Sequence, residues 1–180
     1  MRRAVPHRSV PEAVATGCRV ASISYHPPAT AGGTDFMAIS ELLRRAQVVV
    51  APETYVLVGM SHEDWRQLLQ QPELSPRGDA PYMLLRDRYE VTMLLDAEDW
   101  QTMRHAARNA RVEKDFRLVT FNIELAWNVV GFMAHVATIL AEAGVSIGPL
   151  SAFSRDHLLI KQEDLPAALR ALSDQVAELC

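Results

Sequence analysis

Three side chains in the second half of the chain, His135, Asp156 and His157, are of the types that move protons or hold metals. Together they could be drawn as an acid–base group or a metal site. No H-x-x-x-H or similar spacing accompanies them, and His135 falls on the polar face of a predicted helix. A solvated or hydrogen-bonded histidine is the plainer reading. The chain has no G-x-S-x-G, no P-loop and no Gly-rich dinucleotide turn, and GGTD at 32–35 follows no convincing strand-to-helix context. The residues therefore call for no catalytic group, no metal and no cofactor.

A different chemistry is suggested by WNVVGFMAHVATILAEAG at 127–144. Asn128 is a helix-cap candidate, and Gly144 ends the run as glycine usually does. Val130, Met133, Ala137 and Leu140 fall on one helical stripe, with Asn128, Gly131, His135, Thr138 and Glu142 opposite. Gly131 then sits in the first turn, where an interior glycine costs about 0.5–1 kcal/mol against alanine. Two readings stand: tight packing of helix on strand, or a backbone that something must approach closely. Trp127 is likewise a core or interface aromatic, or a platform for a ligand. Asp156 beside Arg155 is a polar hairpin turn or a binding group.

The bulk numbers set the frame. At 180 residues the chain is one domain, or two small ones sharing a core. Its apolar share of 49% and charged share of 22% are those of an ordinary globular protein. A net charge of −4 argues against a nucleic-acid partner, and no apolar run is long enough to span a membrane. Cys18 and Cys180 read as free thiols in a reducing, cytoplasmic setting.

Residues 1–36 differ from the rest, with a basic start and the connector-like YHPPATAGGTD; CRVASISY between them alternates like a strand. They are expected to be a flexible N-terminal extension, with Met37 before ISELLRRA opening the folded unit. QVVVAPETYVLVG is strand material broken at Pro52. Ser61 and Asp64 resemble a capping box for HEDWRQLLQQ, whose Trp65, Leu68 and Leu69 share a face. PELSPRGDAP is a loop, and PYMLLRDRYEVTMLL is a hairpin in which Tyr89, Val91, Met93 and Leu95 alternate with Glu90 and Thr92. DAEDWQTMRHAARNA follows as a helix.

The order then repeats. RLVTFNIEL alternates as a strand, the helix at 128–143 follows, and VSIGPLSAFS with DHLLIK makes a hairpin whose first arm is bulged or at an edge because of Gly148 and Pro149. EDLPAALRALSDQVAEL is a last helix, with Leu165, Leu169, Leu172, Val176 and Leu179 on its buried stripe. LLDAEDW (94–100) and LIKQEDL (159–165) align across the repeat. Two β-α-β-β-α units imply an α+β fold of two ferredoxin-like units, antiparallel sheets backed by helices, at 37–112 and 113–180. Each lacks a closing strand, which residues 47–50 or CRVASISY would supply by crossing between units.

VVGFMAHVATILAEAGVSI followed by LSAFSRDHLLIKQEDL resembles the ACT domains, in particular the tandem ACT-like amino-acid-binding proteins. That group includes small bacterial two-ACT proteins and cytosolic arginine sensors of the CASTOR type. The likeness is most specific over 117–172 and extends over about 40–175. It implies a βαββαβ-type fold and a free amino acid enclosed at an interface between two ACT units. Carried over, the turn supplies Trp127, Asn128, Val129, Val130, Gly131 and Phe132, and the strand Leu150, Ser151, Ala152 and Phe153. Asp156 would be the partner of an ammonium or a basic side chain. Ala126 and Asn128 stand where relatives usually have an acidic residue and a serine, which leaves the ligand open.

The resemblance implies a regulatory or allosteric sensor that binds an amino acid and shifts the population of an assembly, with a homodimer or another protein as partner. Exposed sheet edges invite such pairing. The competing expectation is an enzyme of a specialised biosynthetic pathway using the same cleft, with Asp156, His157 or His135 as acid–base groups. A third is an interaction protein whose pocket is filled by its own side chains.

Overall fold

A computed structural model describes residues 34–76 and 80–180. CRVASISY, Cys18 and the expected extension up to residue 33 lie outside the described residues. Helix α1 (Thr34–Arg44) opens ahead of Met37.

QVVVAPETYVLVGM forms a strand interrupted at Pro52, as its sequence predicts: β1 (Gln47–Val50) and β2 (Tyr55–Met60) flank a bend. Both run antiparallel to one long strand, β5 (Arg111–Asn122). β1 pairs with its end, Val50 opposite Val119, and β2 with its beginning, Gly59 opposite Arg111. Where the bend falls, the register shifts between Tyr55 and Leu57, and Asp115 takes a left-handed φ of 62°. Such an irregularity re-phases the alternation of side chains. Val112 therefore packs against one helix-backed core, while Val119 and Phe121 serve another.

Around the first part of this ribbon lie β3 (Met83–Arg86), β4 (Val91–Asp96), α2 (His62–Leu68) and α3 (Ala97–Met103). Val56, Val58, Val91, Met93 and Leu95 pack there with Trp100 and Met103. Ser61 caps α2, accepting from the Asp64 amide at 3.0 Å and donating to its carboxylate at 2.7 Å. Asp96 caps α3, accepting from the Glu98 and Asp99 amides. Two expected apolar positions are outside: Leu69 is exposed just past the end of α2, and Tyr89 is exposed in the β3–β4 turn. That turn is organised by Asp87, which accepts from the Tyr89 and Glu90 amides.

Around the second part lie α4 (Phe132–Glu142), β6 (Ile147–Ser151), β7 (Asp156–Lys161), α5 (Leu165–Leu172) and β8 (Glu178–Leu179). Leu43, Ala46 and Val48 join Val119, Phe121, Val136, Leu140, Leu158, Ile160 and Leu172 in one core. The segment from α1 to β1 thus packs with elements far downstream, as a crossing strand requires. The core on the second part of β5 therefore draws on residues from both ends of the described chain. The last helix is shorter than its apolar stripe predicts. It stops at Leu172, and Glu178–Leu179 pair in parallel with Gln47–Val48 instead.

The described strands form one eight-stranded sheet in which β6 pairs only with β7. A third apolar cluster, Tyr55, Leu94, Leu118 and Leu159 with Leu57, Met83, Phe116 and Leu150, draws only on strands and the Ala51 bend among the described residues. It occupies the sheet face opposite the helices, because successive strand residues alternate between faces. Among the described residues no helix is long and apolar enough to cross a membrane.

Candidate functional site

The turn between β5 and α4 is built from ordinary turn chemistry. Val129 N donates to Ala126 O at 3.0 Å, so Trp127 and Asn128 are the two central residues of a β-turn. Asn128 is therefore a turn residue; the cap position of α4 belongs to Gly131. The helix begins only at Phe132, and its buried face is Phe132, Val136 and Leu140, while Val130 lies outside it and is 82% exposed. Phe132 meets Phe121 edge-on, with ring centroids 5.4 Å apart, which pins the first turn of α4 to β5.

Gly131 has φ 91° and ψ 0°, and a Cβ placed there would meet nothing within 4 Å. Tight packing is thus not its reason. The left-handed backbone is, because a side chain at that φ crowds its own carbonyl. Glycine also leaves the helix start without a side-chain cap. The first helical bond runs from His135 N to Gly131 O at 2.9 Å. The amides of Phe132, Met133 and Ala134 precede it and point out of the helix end with the positive pole of its dipole.

The β6–β7 hairpin faces this helix start. Ala152 N donates to Arg155 O at 2.9 Å, and Leu125 N donates to Ser154 O at 2.9 Å, tying the turn to the hairpin tip. Asp156 receives the Ser151 hydroxyl at 2.6 Å. Arg155 is held by Asn122 Oδ1 at 3.1 Å and Ser154 Oγ at 3.1 Å. Between helix start and hairpin lies a pocket of about 290 Å³, lined among others by Trp127, Gly131, Met133, Phe153, Arg155 and Asp156. Trp127 and Phe153 stand fully exposed on its rim.

Of the positions expected at a site, Trp127, Val129, Gly131, Phe132, Ser151, Ala152, Phe153 and Asp156 line this pocket. Asn128 and Val130 do not, since the turn directs them elsewhere, and Leu150 lines a neighbouring pocket on the sheet face. Leu125, Met133, Ala134 and Arg155 also line the pocket at the start of α4 and were not among the expected positions, and Arg155 is the charged one of them. Its adjacency to Asp156 was visible, but only the hairpin geometry shows that both flank one space.

His135, Asp156 and His157 face different surroundings. His135 Nε2 is 3.3 Å from Ser40 Oγ on α1, and His157 Nδ1 is 2.9 Å from Thr120 Oγ1. Asp156 and His157 are consecutive strand residues and so point to opposite faces. Among the described residues no three His, Cys, Asp or Glu side chains converge as metal ligands.

Residues 111–174, spanning β5 to the end of α5, match the family model of the ACT domain. Those residues form an ACT domain. Solved structures extend the likeness over most of the chain's length. A protein of unknown function from Vibrio cholerae, described as a possible transport protein, is 24% identical with a TM-score of 0.59, covering 78% of this chain and 98% of that one. A protein from Agobacterium tumefaciens is 19% identical with a TM-score of 0.58, covering 76% and 92%. The ligand-free regulatory subunit of aspartate kinase from Thermus thermophilus is 17% identical with a TM-score of 0.54, covering 74% and 98%. At these identities the likeness is one of fold. No curated protein matches the chain.

Proposed function

We propose that this tandem ACT-like protein is a regulatory sensor that binds a free amino acid in the pocket between the start of α4 and the β6–β7 hairpin. The observation that carries the reading is the pairing of an uncapped helix start with a carboxylate across one small space. The amides of Phe132, Met133 and Ala134 would take the α-carboxylate, with Arg155 adding a positive charge at the same pocket. Asp156, already oriented by Ser151, would take the α-ammonium. Charge-assisted hydrogen bonds of this kind are worth about 1.5–3 kcal/mol each. A pocket of about 290 Å³ is at the small end of ligand sites, as a free amino acid requires.

Trp127, Val130 and Phe153 expose apolar surface beside the pocket. A second ACT unit closing over them would bury both this surface and the ligand, placing the amino acid at an interface between units. Ligand binding would then favour the associated state, which is the physical content of a sensor. The regulatory subunit of aspartate kinase among the similar structures supports this reading through its own role. A thermal-shift screen of the twenty amino acids tests it. At least one should raise the melting temperature, and none doing so at concentrations far above the expected affinity would refute the proposal.

A further inference from the structure

A second pocket lies on the sheet face that carries no helix. It has a volume of about 190 Å³, and its walls include Met83 on β3 and Leu94 on β4, Leu118 on the central β5, and Leu150 on β6. β3 and β6 are separated along the path β3-β4-β2-β5-β7-β6. In a flat sheet those steps, at about 4.8 Å each, would hold the two strands about 24 Å apart. Lining one small space from both strands requires the sheet to curl, which the re-phasing at Asp115 and the twist of paired strands provide.

The lining is apolar apart from Tyr82, Ser151 and His157, and it includes no carboxylate, lysine or arginine among the described residues; Tyr82 is more than half exposed. The Ser151 hydroxyl is committed to Asp156. His157 places Nδ1 against Thr120 Oγ1, which leaves Nε2 as the hydrogen-bonding atom for the pocket. Burial lowers the imidazole's pKa, opposed in part by Asp156, and this favours the neutral ring. A zwitterion would lose its hydration here without a charged partner, so the pocket rejects what the α4 site is suited to accept. A cavity of about 150 Å³ lined by aliphatic and aromatic side chains holds a benzene ring. This one is somewhat larger and offers the half-buried His157 imidazole, with the mostly exposed Tyr82 hydroxyl as its other uncommitted polar group.

We infer that this pocket is a second small-molecule site, separate from the amino-acid site, that takes a neutral single-ring aromatic carrying one hydroxyl, with the ring against Leu94, Leu118 and Leu150 and the hydroxyl on His157 Nε2. The inference does not rest on the amino-acid reading, since neither Asp156 nor the start of α4 takes part.

Phenol is the probe, titrated into the full chain and followed by ligand-observed saturation-transfer NMR. Saturable binding is expected with a Kd of about 1 mM. Toluene, which lacks the hydroxyl, should bind roughly three- to tenfold more weakly, the worth of one net hydrogen bond. His157→Phe should erase that preference while toluene still binds. Leu150→Trp on the edge strand should fill the pocket and abolish binding of both, with Met83→Trp as a second filling variant should the first not fold. Trp127→Ala, at the other pocket, should change neither. The inference is overturned by an absence of saturation well above that concentration, by phenol binding that survives both filling variants, or by a phenol preference that survives His157→Phe.

Discussion

Ser151 and Asp156 face each other across the β6–β7 pair, and the serine hydroxyl donates to the aspartate at 2.6 Å. This bond engages Oδ1 of a carboxylate on the wall of the pocket at the start of α4. A carboxylate fixed before a ligand arrives loses less freedom on binding.

Asp156→Asn keeps the shape and removes the charge, so the affinity for the stabilising amino acid should fall by at least about tenfold, the lower end for a charge-assisted bond. Ser151→Ala frees the carboxylate without neutralising it and should cost only a few-fold. Isothermal titration of both variants checks the order. A larger loss in Ser151→Ala than in Asp156→Asn would contradict the assigned roles.

Gly131→Ala should destabilise the fold by about 1–2 kcal/mol through backbone strain alone, because φ is 91° and an added Cβ has open space around it. Gly131→Asn should recover part of that loss, since asparagine tolerates the left-handed region. Urea unfolding of the two variants measures this. Equal destabilisation by both would point to a cause other than φ.

Asp96→Ala removes the side chain that accepts from both the Glu98 and Asp99 amides at the head of α3. The expected cost is about 1–2 kcal/mol in chemical denaturation. Asp96→Ser should restore much of it by offering one acceptor in the same place.

Burial depresses the pKa of His157 below its usual 6.5 in the folded chain. The unfolded chain therefore takes up this proton first as pH falls, and stability contributed by the neutral ring is lost progressively below about pH 6.5. Above that pH the ring is neutral in both states and contributes no slope. His157→Gln should flatten the stability profile between pH 7.5 and 5, measured by urea midpoints at each pH. A slope unchanged by the substitution would assign the effect to another group.

The fold was legible where local chemistry is strong. Ser61 and Asp64 marked a helix start, Pro52 marked the break between β1 and β2, and the alternation of Val91, Met93 and Leu95 marked a buried strand. It failed where tertiary packing overrode local pattern. Leu179 continues a helical stripe in sequence, yet its backbone is taken by β1, and Tyr89 continues a strand alternation that Asp87 ends with a turn. At the candidate site the composition of the wall could be read but its geometry could not. A cap-forming asparagine at 128 outweighs a glycine at 131 by propensity. The β-turn from Ala126 to Val129 uses that asparagine first and moves the helix start to Phe132.

An amino acid seated at the start of α4 would act first on the free amides of that helix end. The most direct test is a ¹H–¹⁵N spectrum of the full chain with and without the amino acid that gives the largest thermal stabilisation. The amides of Phe132, Met133 and Ala134 should show the largest shifts, and the same titration on Asp156→Asn should leave them nearly unmoved. Stabilisation accompanied by unmoved amides there, with shifts clustered elsewhere in the chain, would contradict the assignment.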